Sequence, residues 1–167
     1  TIRPGPTGAG IALAEAGAVQ DVSVIGGTTG IAQGSASAGP RLTNVPVTGS
    51  TEIGVDLTNV RIDPSSANVQ VSGALHGYRG GLGNLAILWP DSVAQATLLA
   101  NIRDTVFLTT GSTIRNRTLT LRPDLRYFVT NEIVVDTQGV LNPRPGTQMT
   151  FQNAGIRVTN SGRVNAR

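Results

Sequence analysis

The segment 132–167 contains the same short motif twice, and this repeat restricts the fold more than any other property of the chain. EIVVDTQGVLN from Glu132 and GIRVTNSGRVN from Gly155 lie 23 positions apart, matching Ile133 with Ile156, Val135 with Val158, Gly139 with Gly162 and Asn142 with Asn165. The N-terminal third repeats that spacing. Asp21-Val22-Ser23-Val24-Ile25-Gly26-Gly27 and Asn44-Val45-Pro46-Val47-Thr48-Gly49-Ser50 are also 23 apart, Gly30-Ile31 and Gly54-Val55 are 24 apart, and Gly10-Ile11 precedes Gly30-Ile31 by 20. A period in the low twenties, made of β-branched runs punctuated by Gly, Asn, Asp and Thr, is the mark of a chain that winds coil by coil.

A rung of about 20 to 25 residues holds two or three short strands, none of which buries its inward face alone. Stacking the rungs pairs each strand in parallel with its counterpart and closes a core of Val, Ile and Leu columns. The alternation agrees: in Ile133-Val134-Val135, Ile156-Arg157-Val158, Val22-Ser23-Val24 and Val45-Pro46-Val47 the first and third residues point inward. Pro46 then faces out, near a bulge or rung corner, because it cannot donate to the ladder. Glycines at the ends of the runs supply turns. Asparagine opens Asn44-Val45, Asn59-Val60 and Asn68-Val69, which predicts a stacked amide ladder at one corner. The predicted fold is all-β, a parallel solenoid of at most about seven rungs.

Tyr127-Phe128-Val129-Thr130-Asn131-Glu132-Ile133-Val134-Val135, Gly139-Val140-Leu141-Asn142, the Pro145-Gly146-Thr147 turn, Met149-Thr150-Phe151 and Gly155-Ile156-Arg157-Val158 resemble the right-handed parallel β-helix repeats of the pectate-lyase-like superfamily. The match covers about 40 residues well and 8–75 more loosely. It implies right-handed coiling and a secreted or cell-surface setting in bacteria; it supplies a scaffold and not an activity.

One domain suits 167 residues. Residues 1–75 read as β-helix rungs behind an extended lead-in, 76–104 as an irregular insertion, and 105–167 as further rungs. Within the insertion, His76-Gly77-Tyr78-Arg79-Gly80-Gly81-Leu82-Gly83 reads as a flexible stretch and Leu85–Trp89 as a short apolar run. The one helix is expected over 93–102, with Asp91 or Ser92 as N-cap and Val93, Ala96, Leu99 and Ile102 on one face.

With no Cys there is neither a disulfide framework nor a thiolate site. His76 is the one histidine, so a multi-histidine metal centre is excluded, and no cofactor is expected. Four glycines between Gly77 and Gly83 lack the Lys-Ser/Thr of a phosphate cradle. All 13 basic residues are Arg, the net charge is +3 and the pI is near 10.5, yet the arginines are dispersed, and nucleic acid is the least supported partner. No run of 18 apolar residues is present to span a membrane.

The acids are Glu15, Asp21, Glu52, Asp56, Asp63, Asp91, Asp104, Asp124, Glu132 and Asp136. No Asp-x-Asp pair occurs on one strand face, and Asp56 with Asp63 is the nearest candidate couple. Trp89 and Tyr78 flank the irregular segment and are the candidate ligand-binding residues if a carbohydrate is bound; the competing reading has Trp89 packing the helix on the solenoid. The chain opens with Thr1-Ile2-Arg3-Pro4-Gly5-Pro6 and keeps strand character to its last letters. It reads as starting inside a longer or processed protein and ending on an uncapped solenoid face, with Arg163, Val164 and Asn165 as assembly residues. The expected function is a non-enzymatic extracellular or cell-surface structural module, adhesin-like or a filament subunit, associating with itself or with further rungs of its parent. The alternative is a polysaccharide-binding or polysaccharide-cleaving β-helix protein, lyase, hydrolase or tailspike-like.

Overall fold

The computed structural model describes residues 1–14, 17–33, 39–110 and 112–166, so Glu15 and Arg167 lie outside it. The first rung holds β1 (Ala9–Leu13), β2 (Ala18–Gln20) and β3 (Val24–Ile25), the second β4 (Thr29–Gln33) and β5 (Arg41–Thr48), and the third β6 (Ile53–Leu57) and β7 (Ala67–Ser72). The fourth holds β8 (His76–Gly81), α1 (Leu82–Leu88) and a 3₁₀ turn (Ala94–Leu98). Three rungs follow: β9 (Arg103–Thr110), β10 (Ser112–Ile114) and β11 (Thr118–Leu121); β12 (Arg126–Val129), β13 (Ile133–Val135) and β14 (Val140–Pro143); then β15 (Gln148–Phe151), β16 (Ile156–Val158) and β17 (Arg163–Val164).

Every strand pairing among the described residues is parallel. One seven-stranded sheet, β1-β4-β6-β8-β9-β12-β15, runs the length of a solenoid of about six turns. Its inward column passes through Ile11, Ile31, Val55, Tyr78, Val106, Tyr127 and Met149, in steps of 20, 24, 23, 28, 21 and 22 residues. The repeats read from the sequence are the registers observed: Val24 pairs with Val47, Ile133 with Ile156, and Val135 with Val158. Pro46 is exposed two residues past a corner at Asn44, whose φ is +53°. The Pro145-Gly146-Thr147 segment is a turn closed by Thr147 N–H donating to the Arg144 carbonyl at 3.0 Å, with Gly146 at φ +84°.

The glycines before the column residues have a different reason from the turns expected of them. Gly10, Gly30 and Gly54 have no positive φ; a Cβ there would lie 2.0–2.2 Å from a Cγ1 of Val24, Val47 or Val71 on the facing wall. The solenoid is closed at this level by glycine backbone packing on valine.

Polar corners stack as well. Asn44 Nδ2 donates to Asp21 Oδ1 and Asn68 Nδ2 to Asn44 Oδ1, each at 2.8 Å, and all three residues have φ near +54°. The expected ladder therefore exists, but its third member is Asp21. Asn59 falls in the β6–β7 connection, 15 and 9 positions from the other two asparagines and so off the rung spacing. A second stack centres on Asp136, which accepts from Arg115, Thr159 and Asn160, bonds that hold its carboxyl well below the usual carboxylate range.

The helix lies elsewhere than expected. α1 buries Leu82, Asn84, Leu85, Ala86 and Leu88, whereas 93–102 forms only the 3₁₀ turn and leaves Val93 and Ile102 at 79% and 74% exposure. Asp91 does cap that turn, its Oδ1 accepting from Val93 and Ala94 N–H at 2.9 Å. The apolar run from Leu85 outcompetes the sparser stripe for the core, and Pro90 follows where the helix stops. The glycine-rich stretch ahead of it is strand β8, not a flexible loop: Gly77-Tyr78 continues the Gly30-Ile31, Gly54-Val55 series one rung on.

While the large sheet is continuous, the remaining wall is divided. β2, β3, β5 and β7 form it in the first rungs and β10, β13, β16 with β11, β14, β17 in the last, with α1 and the 3₁₀ turn in place of strands between. Two buried amides tie this rung to its neighbours. Asn84 Nδ2 donates to Val60 O at 2.5 Å while its Oδ1 accepts from Ile62 N–H at 3.1 Å. Gln95 donates to Trp89 O and Thr120 O and accepts from Tyr127 O–H and Arg122 N–H. Full satisfaction of both amides is what permits their burial.

Candidate functional site

Three regions bear on function: the last rung, the aromatic pair at α1, and a cleft on the outer face of the large sheet. In the last rung β17 carries Arg163 and Val164, paired with Val140 and Leu141, and Asn165 N–H donates to Leu141 O at 2.9 Å. β15, β16 and β17 each end their sheet. Phe151, Ile156, Val158 and Val164 are 36–48% exposed, yet their in-register partners Val129, Ile133, Val135 and Leu141 are at most 1% exposed. The core columns thus run on to a surface that no other described residue covers. At the other end residues 2–8 follow the first rung, with Ile2 N–H donating to Ser23 O and Ile25 N–H to Ile2 O.

Tyr78 and Trp89 are brought together, but inside. They are 0% and 1% exposed and meet edge to face at 5.4 Å. Tyr78 O–H donates to Gly81 O at 2.8 Å, and burial pushes its phenol far above the ordinary range. Trp89 Nε1–H reaches Val69 O and Thr97 Oγ1, both at 3.0 Å. Neither ring has a face open to a ligand, and Trp89 packs within the core of the 28-residue rung against Tyr78.

The outer cleft was not anticipated. It encloses about 590 Å³ against β8, β9, β12 and β15. His76, Phe107 and Phe128 climb it as an edge-to-face ladder with ring centroids 4.8 and 5.8 Å apart. A register shift between His76 and Tyr78 opposes Asp104-Thr105 to Gly77 and brings Asp104 to the cleft wall. Asp124, Arg103 and Arg126 complete the rim. His76 Nδ1 and Asp104 Oδ1 are buried atoms without a hydrogen-bond partner among the described residues. Burial lowers the His76 pKa, with Arg103 and Arg79 adding to it, so the imidazole is biased neutral; burial raises that of Asp104, with Asp124 adding. Hydrogen bonding from Arg122 lowers that of Asp124. The nearest hint in the sequence was Phe107 and Phe128, outward residues one rung apart.

Asp56 and Asp63 do not pair. Asp56 binds Arg79, with Nη2 to Oδ2 at 2.5 Å, while Asp63 caps its own turn by accepting from Ser65 N–H and Oγ–H. They occupy one rung, not successive ones, so stacking never superimposes them. Among the described residues no cluster of metal-ligating side chains is found and no helix is long and apolar enough to cross a membrane. In comparisons with family models, curated proteins and solved structures, nothing matches this chain.

Proposed function

We propose that the chain is a non-enzymatic structural module of an extracellular or cell-surface protein, a right-handed β-helix of the pectate-lyase-like type that assembles through its solenoid ends. The observation that carries this reading is the set of four apolar side chains on the last rung, each continuing a fully buried column. The occupant that fits is another parallel rung, which would satisfy the edge strands and cover Phe151, Ile156, Val158 and Val164 together. Supplied by a second copy, such a contact joins two different surfaces and grows into a ring or an open filament. The surface setting rests on the resemblance of the repeats.

Light scattering after size exclusion tests the assembly. The chain is expected to elute above its monomer mass of 17.2 kDa in a concentration-dependent manner, and the double variant Ile156→Lys, Val158→Lys to elute as a monomer. Both positions are already exposed, so the lysines leave the fold intact. A wild-type chain that stays at monomer mass at every concentration removes self-association.

A second reading, a polysaccharide-binding or polysaccharide-cleaving protein, is favoured by the outer cleft. A sugar ring offers an apolar C–H face to Phe107 and Phe128 and hydroxyls to the rim side chains Arg103, Arg126 and Asp124. A glycan array and a reducing-end assay are expected to respond to wild type and much more weakly to Phe128→Ala, which removes the stacking face. Silence of the wild type on both retires this reading.

A further inference from the structure

Because α1 stands where neighbouring rungs have strand, the wall beside it is recessed. The recess, of about 540 Å³, lies between the β6–β7 connection, the start of α1 and the turn joining β10 to β11. Arg61, Arg115 and Arg117 line it, and among the described residues no Asp or Glu does. Arg115 is held by Asp136. Arg61 and Arg117 have no ion pair and no side-chain hydrogen bond among the described residues, and Arg117 is partly buried. A partly buried guanidinium without a counter-charge is unfavourable, and an anion placed beside it offsets that cost. Val60 and Ile87 add apolar wall to the same space.

We infer that this recess binds a small oxyanion-bearing molecule, its carboxylate, sulfate or phosphate group held by Arg117 and Arg61. Guanidinium forks match the paired oxygens of all three groups, and the volume falls within the range of small-molecule sites. The recess is at mid-solenoid, so this inference stands apart from stacking at the last rung and from the outer cleft.

Isothermal titration of the whole chain at low ionic strength with sodium sulfate, sodium phosphate and sodium glucuronate tests it. Saturable binding of at least one of these is expected, and the one that binds identifies the group. Arg117→Gln is expected to weaken it about tenfold and Arg61→Ala several-fold, as the loss of a charge-assisted contact implies. Arg144→Ala, which removes equal charge from an exposed site outside both clefts, is expected to leave it unchanged. Should Arg117→Gln fail to fold, Arg61→Ala decides, since Arg61 is exposed. Absence of saturable binding to all three anions, or equal weakening by Arg144→Ala, overturns the proposal.

Discussion

Replacing Trp89 with alanine is expected to destabilise the chain by about 4 kcal/mol, in the range typical of a buried Trp truncated to Ala. Three losses combine. The indole is 1% exposed within the 28-residue rung, its ring edge-packs on Tyr78, and its N–H joins Val69 O to the Thr97 hydroxyl. Removing it opens a cavity between the large sheet and the 3₁₀ turn and leaves the buried Val69 carbonyl without that donor. Trp89→Phe is expected to retain most of the packing and lose mainly the hydrogen bond, about 1–2 kcal/mol. Urea unfolding followed by circular dichroism measures both, since Trp89 is the only tryptophan and its fluorescence vanishes with it. A Trp89→Ala midpoint equal to that of wild type would contradict the buried placement.

Gly30→Ala is expected to cost about 3 kcal/mol by overpacking, although it adds one methyl group. Its Cβ would lie 2.1 Å from Val47 Cγ1 and 2.6 Å from the Gly54 carbonyl oxygen. The valine can turn away; the carbonyl cannot, because it belongs to the backbone of the next rung and moving it displaces the stack. Gly155→Ala is the matched control, with nothing within 4 Å of the new methyl and no positive φ, and is expected to be neutral. Equal unfolding midpoints for the two variants would show that the walls are not in contact at this level. Since a domain is held by roughly 5–15 kcal/mol in all, either Trp89→Ala or Gly30→Ala removes a large share of it.

These positions differ in how much of their role was readable from letters. Gly10, Gly30 and Gly54 were visible as members of a period, and the period gave their register correctly. Their reason was not visible: contact with Val24, Val47 and Val71 depends on how the second wall returns across the rung. Asp21 was aligned with Asn44 through the 23-residue offset, but its place in the amide ladder follows from both residues adopting φ near +54° at the same corner. For 76–104 the local pattern misled. Glycine density suggested a loop where Gly77-Tyr78 continues the inward column, and a helical stripe from Val93 lost to the more apolar Leu85–Trp89 run, because core space in the rung is limited.

The candidate sites were the least legible. His76, Phe107 and Phe128 are 31 and 21 positions apart, and Asp104 reaches the cleft through a bulge that has no sequence signature of its own. Arg61 and Arg117, 56 positions apart, share a recess only because a helix replaces a strand beside them. Tyr78 and Trp89 read in the sequence as residues flanking an irregular segment; their edge-to-face contact inside the solenoid depends on how α1 packs.

What the sequence determined alone was the winding: apolar residues in alternation, recurring at a spacing that only stacked parallel rungs bury, set the fold class and the register of most pairs. What tertiary structure decided was everything that depends on the distance between walls. The 28-residue rung must absorb its extra length in a helix, and that single displacement buries the aromatic pair, opens the arginine-lined recess and splits the second wall in two. Local patterns specify which face of a strand turns inward; the space left for each side chain is set by residues a full turn away.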